Sequence, residues 1–207
     1  VKAADGGIHF CGTDLRAIAP YCAQILRQDV QVVAGRREYV WKFSLPEAAM
    51  REYRRVVDLF LLKAQLTTTG VYRMLQACQH VVCGRSIAED FPLETAAMYA
   101  SPWENPRIQA LMEVLEQIGG RRVIVLYRYG HERENILLAL RRRYGAESVG
   151  SYPETASARF TVMNVFIDER ETARLSADVL VYYSSDWNWQ KREEKELQCC
   201  AALGGGA

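Results

Sequence analysis

The chain has 207 residues, of which 49% are hydrophobic and 25% are charged, a composition typical of globular proteins. This length suits one large domain, or one domain with a helical extension, and provides a core that needs no disulfide or metal to fold. The 26 Lys and Arg residues nearly balance the 25 Asp and Glu residues, so the net charge is +1. A globally basic nucleic-acid-binding protein is therefore excluded, and any such binding requires a local basic patch.

The cysteine content and the hydropathy pattern both favour an intracellular, reducing environment. Six cysteines in a chain of this length do not suggest a disulfide scaffold, so we expect reduced thiols in a cytoplasmic or nuclear protein. The longest apolar runs, 56–62 and 123–127, are too short to span a bilayer, and we expect no membrane partner. Residues 1–10 also lack the charged start and apolar stretch of a signal peptide.

Residues 1–105 are predicted to form a mainly helical segment with one strand. Aromatic and aliphatic side chains alternate with other residues over 38–45, which predicts a strand with one aromatic face. Apolar residues at spacings of three and four then predict a helix from about Pro46 to Ala64 and a second helix over about 70–83. The two prolines at positions 102 and 106 interrupt this pattern and indicate a domain boundary between residues 105 and 106.

Residues 106–207 are predicted to form an α/β domain. Helices are expected to begin at Pro106 and near His131, and a charged helix is expected over about 189–202. Strands that alternate with helices favour a parallel sheet with crossover helices. The predicted strands of this sheet are 122–127, 148–152, 162–167 and 179–183.

The motifs of a self-sufficient enzyme are missing from the sequence. There is no Gly-x4-Gly-Lys-Ser/Thr loop, no Gly-x-Gly-x-x-Gly after a strand, no Gly-x-Ser-x-Gly elbow and no His-Glu-x-x-His. With only His9, His80 and His131 available, a nucleophile and base pair has few candidates. A free-standing enzyme on an unrelated α/β sheet is therefore the weakest functional hypothesis.

Two patterns resemble parts of metal sites. Cys78, His80 and Cys83 form Cys-x-His-x2-Cys, but a structural zinc needs a fourth ligand, and a helix spreads these three residues around its axis. Asp168 and Glu169 follow a predicted strand without partner carboxylates at a recognisable spacing. We therefore expect buried thiols and a solvated acidic turn, and no metal.

The basic residues cluster between positions 121 and 143. Seven arginines lie there against Glu132 and Glu134, a local surplus of five positive charges. Arg128, His131 and Arg133 come just after a predicted strand and at the start of a helix, where backbone amides and the helix dipole favour an anion. A phosphate backbone is one candidate anion, and a solvated helix face with Glu–Arg pairs is the alternative.

The order of these elements resembles that of SNF2-like superfamily 2 helicases. Residues 106–140, with a helix, an apolar strand and an amphipathic helix, resemble the opening of the second RecA-like lobe of those enzymes. The likeness covers most of residues 38–198, and its specificity comes from the order of the motifs. Three segments of the first half are similar to the bridge between the two lobes: Phe43-Ser44-Leu45-Pro46, Tyr53 and 71–78. Three segments of the second half are similar to later strands and loops of the second lobe: 149–151, Arg159-Phe160 and 177–188.

The resemblance implies the second lobe of an ATP-dependent DNA helicase or translocase. ATP and Mg²⁺ would then be shared with a separate N-terminal lobe, and the partners would be DNA and that lobe or another protein. This chain by itself would not hydrolyse ATP. The resemblance makes Arg192 the candidate catalytic arginine finger. It makes four other residues the candidates for contact with nucleic acid: Arg128, His131, Arg133 and Arg159.

Two segments depart from the family pattern. The family reaches its final strand through a glycine-rich loop, whereas residues 168–176 contain no glycine. Its last motif carries more than one arginine, whereas residues 190–198 contain Arg192 alone. These departures favour the alternative function, a degenerate and non-catalytic helicase-like lobe that acts as an interaction or scaffold module in a larger assembly.

Overall fold

A four-stranded parallel sheet with helices packed on it is the centre of the structure, a computed structural model. The structure describes residues 39–63, 67–88, 95–154, 158–167, 175, 177–184, 192, 196 and 199. The described residues from position 40 onward belong to one compact unit, and the predicted domain boundary after residue 105 stays a prediction. Within the described ranges, none of the helices has the length and apolar character that crossing a bilayer requires.

The first described half is a pair of packed helices, which confirms the mainly helical segment. Helix α1 spans Glu47–Lys63 and helix α2 spans Thr68–Val82. The hydroxyl of Thr67 accepts a hydrogen bond of 3.1 Å from the amide of Gly70 and so caps α2. The apolar faces of the two helices share a buried cluster, whose members are Val56, Ala77, Cys78, Val81 and Ile87.

The predicted strand over 38–45 is wrong for its described residues, because 39–46 have no regular secondary structure. Alternation alone does not make a strand, since a strand also needs a partner for its backbone groups. Among the described residues of this half, the strands are β1, Arg85–Ile87, and β2, Thr95–Ala97, which pair antiparallel. With three residues each, they are too short to show a periodicity in the sequence.

The second half confirms the α/β class and the parallel sheet. Helix α3, Pro106–Ile118, precedes strand β3, Val123–Tyr127, and helix α4, Gly130–Tyr144, crosses over to the next strand. The remaining strands are β4, Val149–Ser151, β5, Phe160–Asn164, and β6, Val179–Tyr182. All neighbours pair in parallel in the order β4-β5-β3-β6, an arrangement consistent with a RecA-like fold. Of the predicted closing helix, residues 192, 196 and 199 are described, and each is helical.

Strand β3 is buried on both faces, which explains its unbroken apolar sequence. On one face, Val123 and Val125 belong to a core with side chains of α3 and α4. On the other face, Ile124 and Leu126 belong to a second core. The other buried members of that second core are Met163, Leu175, Ala177 and Cys199.

The parallel order brings the carboxyl ends of all four strands to one edge of the sheet, which we call the carboxyl edge. Ligands of open α/β sheets bind outside this edge. The segments that leave the strands here are 128–129 after β3, 152–154 after β4, 165–167 after β5 and 183–184 after β6.

The packing of α4 against the sheet can be tested with two leucines on the same helix. Leu140 is 0% exposed and Leu138 is 54% exposed. We expect Leu140→Ala to lower the free energy of unfolding by about 2–5 kcal/mol, because it leaves a cavity in the core. The matched variant Leu138→Ala should change it by less than about 1 kcal/mol. Urea denaturation measures both, and equal losses would contradict the assigned face of the helix.

Candidate nucleic-acid interface at the carboxyl edge

Three of the predicted nucleic-acid-binding residues lie together at the carboxyl edge. Arg128 is the first residue after β3, and His131 and Arg133 lie in the first turn of α4. The guanidinium of Arg133 donates two hydrogen bonds, of 3.1 and 3.0 Å, to the hydroxyl of Ser151 at the end of β4. It also lies 3.7 Å from the exposed carboxylate of Glu154.

Arg159 lies at the amino ends of the strands, opposite the carboxyl edge. It precedes β5, and its carbonyl accepts a hydrogen bond of 2.9 Å from the amide of Val123 at the start of β3. Its guanidinium lies over the ring of Phe160 and donates to the carbonyl of Gly119. The structure therefore does not bring Arg159 to the other three predicted residues.

Arg192 lies near the end of β6, on the face of the sheet opposite α4. Its guanidinium carbon is 4.7 Å from the centroid of the Tyr182 ring. Its Nε donates a hydrogen bond of 2.8 Å to the carboxylate of Glu196, one helical turn further along. The predicted arginine finger is thus held against the sheet by an aromatic ring and an ion pair.

The sequence did not single out Glu132, whose carboxylate is the centre of the site. Its side chain is fully buried. One oxygen, Oε2, accepts hydrogen bonds of 2.8 and 3.0 Å from the amides of Arg128 and Tyr129. The other, Oε1, accepts from the Ser184 hydroxyl at 2.5 Å and from the Cys83 thiol at 2.7 Å. Glu132 therefore joins the start of α4, the end of β6 and the end of α2.

Arg107 supplies the positive charge that faces this buried carboxylate. Its Nη1 lies 4.0 Å from Glu132 Oε1 and donates a hydrogen bond of 2.9 Å to the sulfur of Cys83. Its Nη2 donates to the carbonyl of Tyr183, and the guanidinium lies over the Tyr183 ring. A buried carboxylate with this many donors and a nearby cation remains charged.

The ionisation of Glu132 and Cys83 follows from these contacts. Burial by itself raises the pKa of Glu132, but the hydrogen bonds from Cys83, Ser184 and two backbone amides hold that pKa below its usual value. Burial raises the pKa of Cys83 well above its usual value, although the charge of Arg107 opposes the rise. Cys83 is therefore a neutral thiol that donates to Glu132 and accepts from Arg107.

The Cys-x-His-x2-Cys pattern does not form a metal site. The thiol of Cys83 is used by Glu132 and Arg107, while Cys78 is buried in the cluster between α1 and α2. Within the part of the chain that the structure describes, no three His, Cys, Asp or Glu residues are grouped so that they could hold a metal ion. Asp168 and Glu169 lie outside the described residues.

A tight turn connects α2 to this site. Gly84 has φ +88°, and a Cβ at this position would lie 2.7 Å from the amide nitrogen of Asn105 and 2.9 Å from the ring of Tyr99. That Asn105 nitrogen donates a hydrogen bond of 3.0 Å to the carbonyl of Cys83. The Asn105 oxygen accepts one of 2.9 Å from the amide of Arg107 and caps α3.

Three rings pack between α2 and the start of α4. The ring centroids of His80 and Tyr129 are 4.1 Å apart, and His131 lies 5.6 Å from each of them. Burial, followed by repulsion from His131, lowers the pKa of His80 to about 4. Burial also lowers the pKa of His131. Both histidines are therefore neutral at pH 7.

The geometry modifies the expected mode of anion binding. The sequence suggested that an anion would bind backbone amides near the start of α4, but the two amides just before the helix, those of Arg128 and Tyr129, already donate hydrogen bonds to Glu132. Because His131 is neutral at pH 7, the positive charge at this edge comes from the guanidinium groups of Arg128 and Arg133. The arrangement can offer a polyanion charge-assisted contacts from these side chains.

Sequence comparison adds no identification of the site: the chain matches none of the protein-family models, and no curated protein is significantly similar to it.

We expect removal of the buried carboxylate to destabilise the fold. Glu132→Ala leaves the Arg107 guanidinium without its opposite charge and the buried Cys83 thiol and Ser184 hydroxyl without their acceptor, and should lower the free energy of unfolding by about 3–5 kcal/mol. Glu132→Gln, which keeps the shape and loses the charge, should lower it by less. The exposed neighbour Glu134→Ala is the control and should change it by about 0.5 kcal/mol or less. Denaturant titration at pH 7 measures all three, and a neutral Glu132→Ala would contradict the role assigned to this carboxylate.

The two half-buried histidines, His80 and His131, should make the protein less stable as the pH decreases. Since the folded protein lowers the pKa of His80 from 6.5 to about 4, protons bind preferentially to the unfolded chain as the pH decreases through this interval. The free energy of unfolding should decrease by up to about 1.4 kcal/mol per pH unit for each histidine whose pKa is lowered by folding.

The variant His80→Gln should reduce this slope, and the double variant with His131→Gln should reduce it further. Denaturant titrations at a series of pH values between about 6.5 and 4.5 measure the slopes. Glu132 adds a slope of the same sign near pH 4.5, because the unfolded chain takes up a proton there while the folded chain, with its lowered pKa, does not. The wild type and the histidine variants share this contribution, so the difference between their slopes belongs to the histidines. A slope unchanged by His80→Gln would show that another group is responsible.

Proposed function

We propose that this chain is the second, RecA-like lobe of an SNF2-like DNA translocase and that its carboxyl edge contacts the phosphate backbone of DNA. The observation that carries the proposal is the common location of Arg128, His131 and Arg133 at the edge where parallel α/β sheets bind their ligands. These residues come from the segment with a local surplus of five positive charges on a chain whose net charge is +1.

The two arginines are suited to phosphate contacts because the protein restricts their motion. Ser151 fixes the guanidinium of Arg133 through two hydrogen bonds. The guanidinium of Arg128 lies over two aromatic rings, with its central carbon 5.7 Å from the centroid of Tyr129 and 5.1 Å from that of Phe166. An arginine that is already oriented loses less conformational entropy when it binds a phosphate.

The nucleotide part of the proposal depends on a second lobe. ATP and Mg²⁺ would be held by the phosphate-binding loop of that lobe, and Arg192 would approach the nucleotide from this chain. To do so, the guanidinium of Arg192 would exchange its hydrogen bond with Glu196 for one with the nucleotide. The exchange is chemically feasible because a phosphate is also an anionic acceptor.

An interaction or scaffold module is the second candidate function. It is favoured by the fact that acidic groups of this chain already contact the residues in question. Glu132 accepts hydrogen bonds from the amides of Arg128 and Tyr129. The carboxylate of Glu154 lies beside the guanidinium of Arg133, and that of Glu196 accepts a hydrogen bond from Arg192. A lobe that no longer bound DNA or nucleotide would keep these contacts as structural ones.

Binding to DNA over a series of salt concentrations separates the two functions. If the carboxyl edge contacts phosphates, affinity for a labelled DNA duplex should fall steeply with salt. Arg128→Ala and Arg133→Ala should each weaken binding and lower the slope of log affinity against log salt by about 1. Arg141→Ala, an exposed arginine at the other end of α4, is the matched control and should leave the slope unchanged.

Two results would contradict the translocase proposal. The first is the absence of measurable DNA binding at low salt, which would favour the scaffold. The second is an equal effect of Arg141→Ala and Arg128→Ala, which would indicate nonspecific attraction by the whole helix rather than contacts at the carboxyl edge.

A further inference from the structure

The carboxyl edge carries an exposed aromatic side chain. Phe166 follows β5 and is 54% exposed. The preceding residue is anchored, because the side chain of Val165 is buried and its amide donates a hydrogen bond of 2.7 Å to the carbonyl of Tyr127. The amide of Phe166 itself donates one of 2.8 Å to the side-chain oxygen of Asn164. The backbone that leads into the exposed ring is therefore held by two hydrogen bonds.

The exposed ring is paired with one of the cations of the proposed interface. The central carbon of the Arg128 guanidinium lies over the Phe166 ring, 5.1 Å from its centroid, which is within the range of a cation–π contact. Tyr129 contacts the same guanidinium. The exposed ring of Phe166 therefore offers a planar apolar surface, and the guanidinium of Arg128 offers a positive charge directly beside it.

A nucleic-acid strand has the complementary chemistry. Each of its units joins a flat aromatic base to a negatively charged phosphate, and bases stack on exposed aromatic side chains with little dependence on sequence. In a duplex the bases are stacked inside the helix, so only an unpaired base can lie on Phe166. The pairing of ring and cation therefore favours a single strand.

We propose that Phe166 and Arg128 form a stacking platform for one unpaired base of a bound single strand. The base lies on the Phe166 ring and the adjoining phosphate contacts the guanidinium of Arg128. This inference rests on the proposed function, because it assumes that the carboxyl edge binds nucleic acid, and it adds that the bound form includes an unpaired strand.

The test compares two labelled probes, a short oligothymidylate and an abasic strand of the same length, which carries the phosphates without bases. Fluorescence anisotropy with the full chain measures both affinities. The wild-type chain should bind the oligothymidylate about 5- to 150-fold more tightly than the abasic strand, the range expected for one stacked base. Phe166→Ala should abolish this preference, because it weakens binding to the oligothymidylate more than binding to the abasic strand, for which Tyr129 still contacts the guanidinium of Arg128. Phe166→Trp should keep the preference.

Leu138→Ala is the matched control, because Leu138 is also 54% exposed but lies on α4, outside the carboxyl edge. It should leave both affinities unchanged. Thermal unfolding checks that each variant folds. If Phe166→Ala does not fold, Phe166→Leu, which keeps apolar volume without an aromatic ring, replaces it in the comparison.

The possible failures are distinguishable. A wild-type chain that binds both probes equally, with a salt-dependent affinity, overturns the stacking platform and leaves the proposed phosphate contacts in place. The stacking platform is also overturned if Phe166→Ala keeps the preference for the oligothymidylate, and a protein partner then becomes the occupant of the exposed ring. A wild-type chain that binds neither probe nor duplex overturns both proposals.

Discussion

The carboxylate of Glu132 is the constraint on which the carboxyl edge depends. It is buried, it accepts four hydrogen bonds, and its partners come from positions 83, 128, 129 and 184. A buried charge of this kind is tolerated only when donors surround it, so the elements that supply the donors cannot move independently. The backbone of Arg128 is consequently held in place from within the protein, and its side chain leaves the sheet from a fixed point.

The sequence predicted the features that depend on local pattern. Strand β3 was recognisable because a strand covered on both faces is apolar throughout, and the helices were recognisable from spacings of three and four. The strand over 38–45 failed because alternation says nothing about a partner. Glu132 could not be found in this way, since two of its donors, Cys83 and Ser184, lie 49 and 52 positions away. The sequence could have shown that Arg159 lies opposite the carboxyl edge, because a residue that precedes a parallel strand lies at the amino end of that strand.

The resemblance to a helicase lobe and the positive charge of the carboxyl edge concern the same segments of the chain. They support each other only to that extent. The parallel sheet and its order are consistent with a RecA-like lobe, and the arginines that flank the start of α4 lie at the carboxyl edge, where open α/β sheets bind their ligands. These arginines also have acidic neighbours within the chain itself, for example Glu154 beside Arg133. The proposed function therefore requires that external phosphates compete with these internal acidic groups for the arginines, which a binding measurement in solution can test.

The turn at Gly84 has a consequence for how the sequence can evolve. A Cβ at position 84 would collide with both Asn105 and the ring of Tyr99, and the φ of +88° would strain any residue other than glycine. A smaller residue at position 105 would therefore not make room for a side chain at position 84. It would also leave the carbonyl of Cys83 and the amide of Arg107 without their partner. Gly84 and Asn105 should therefore both be retained among descendants of this chain, and their joint retention would identify relatives that share its buried polar centre.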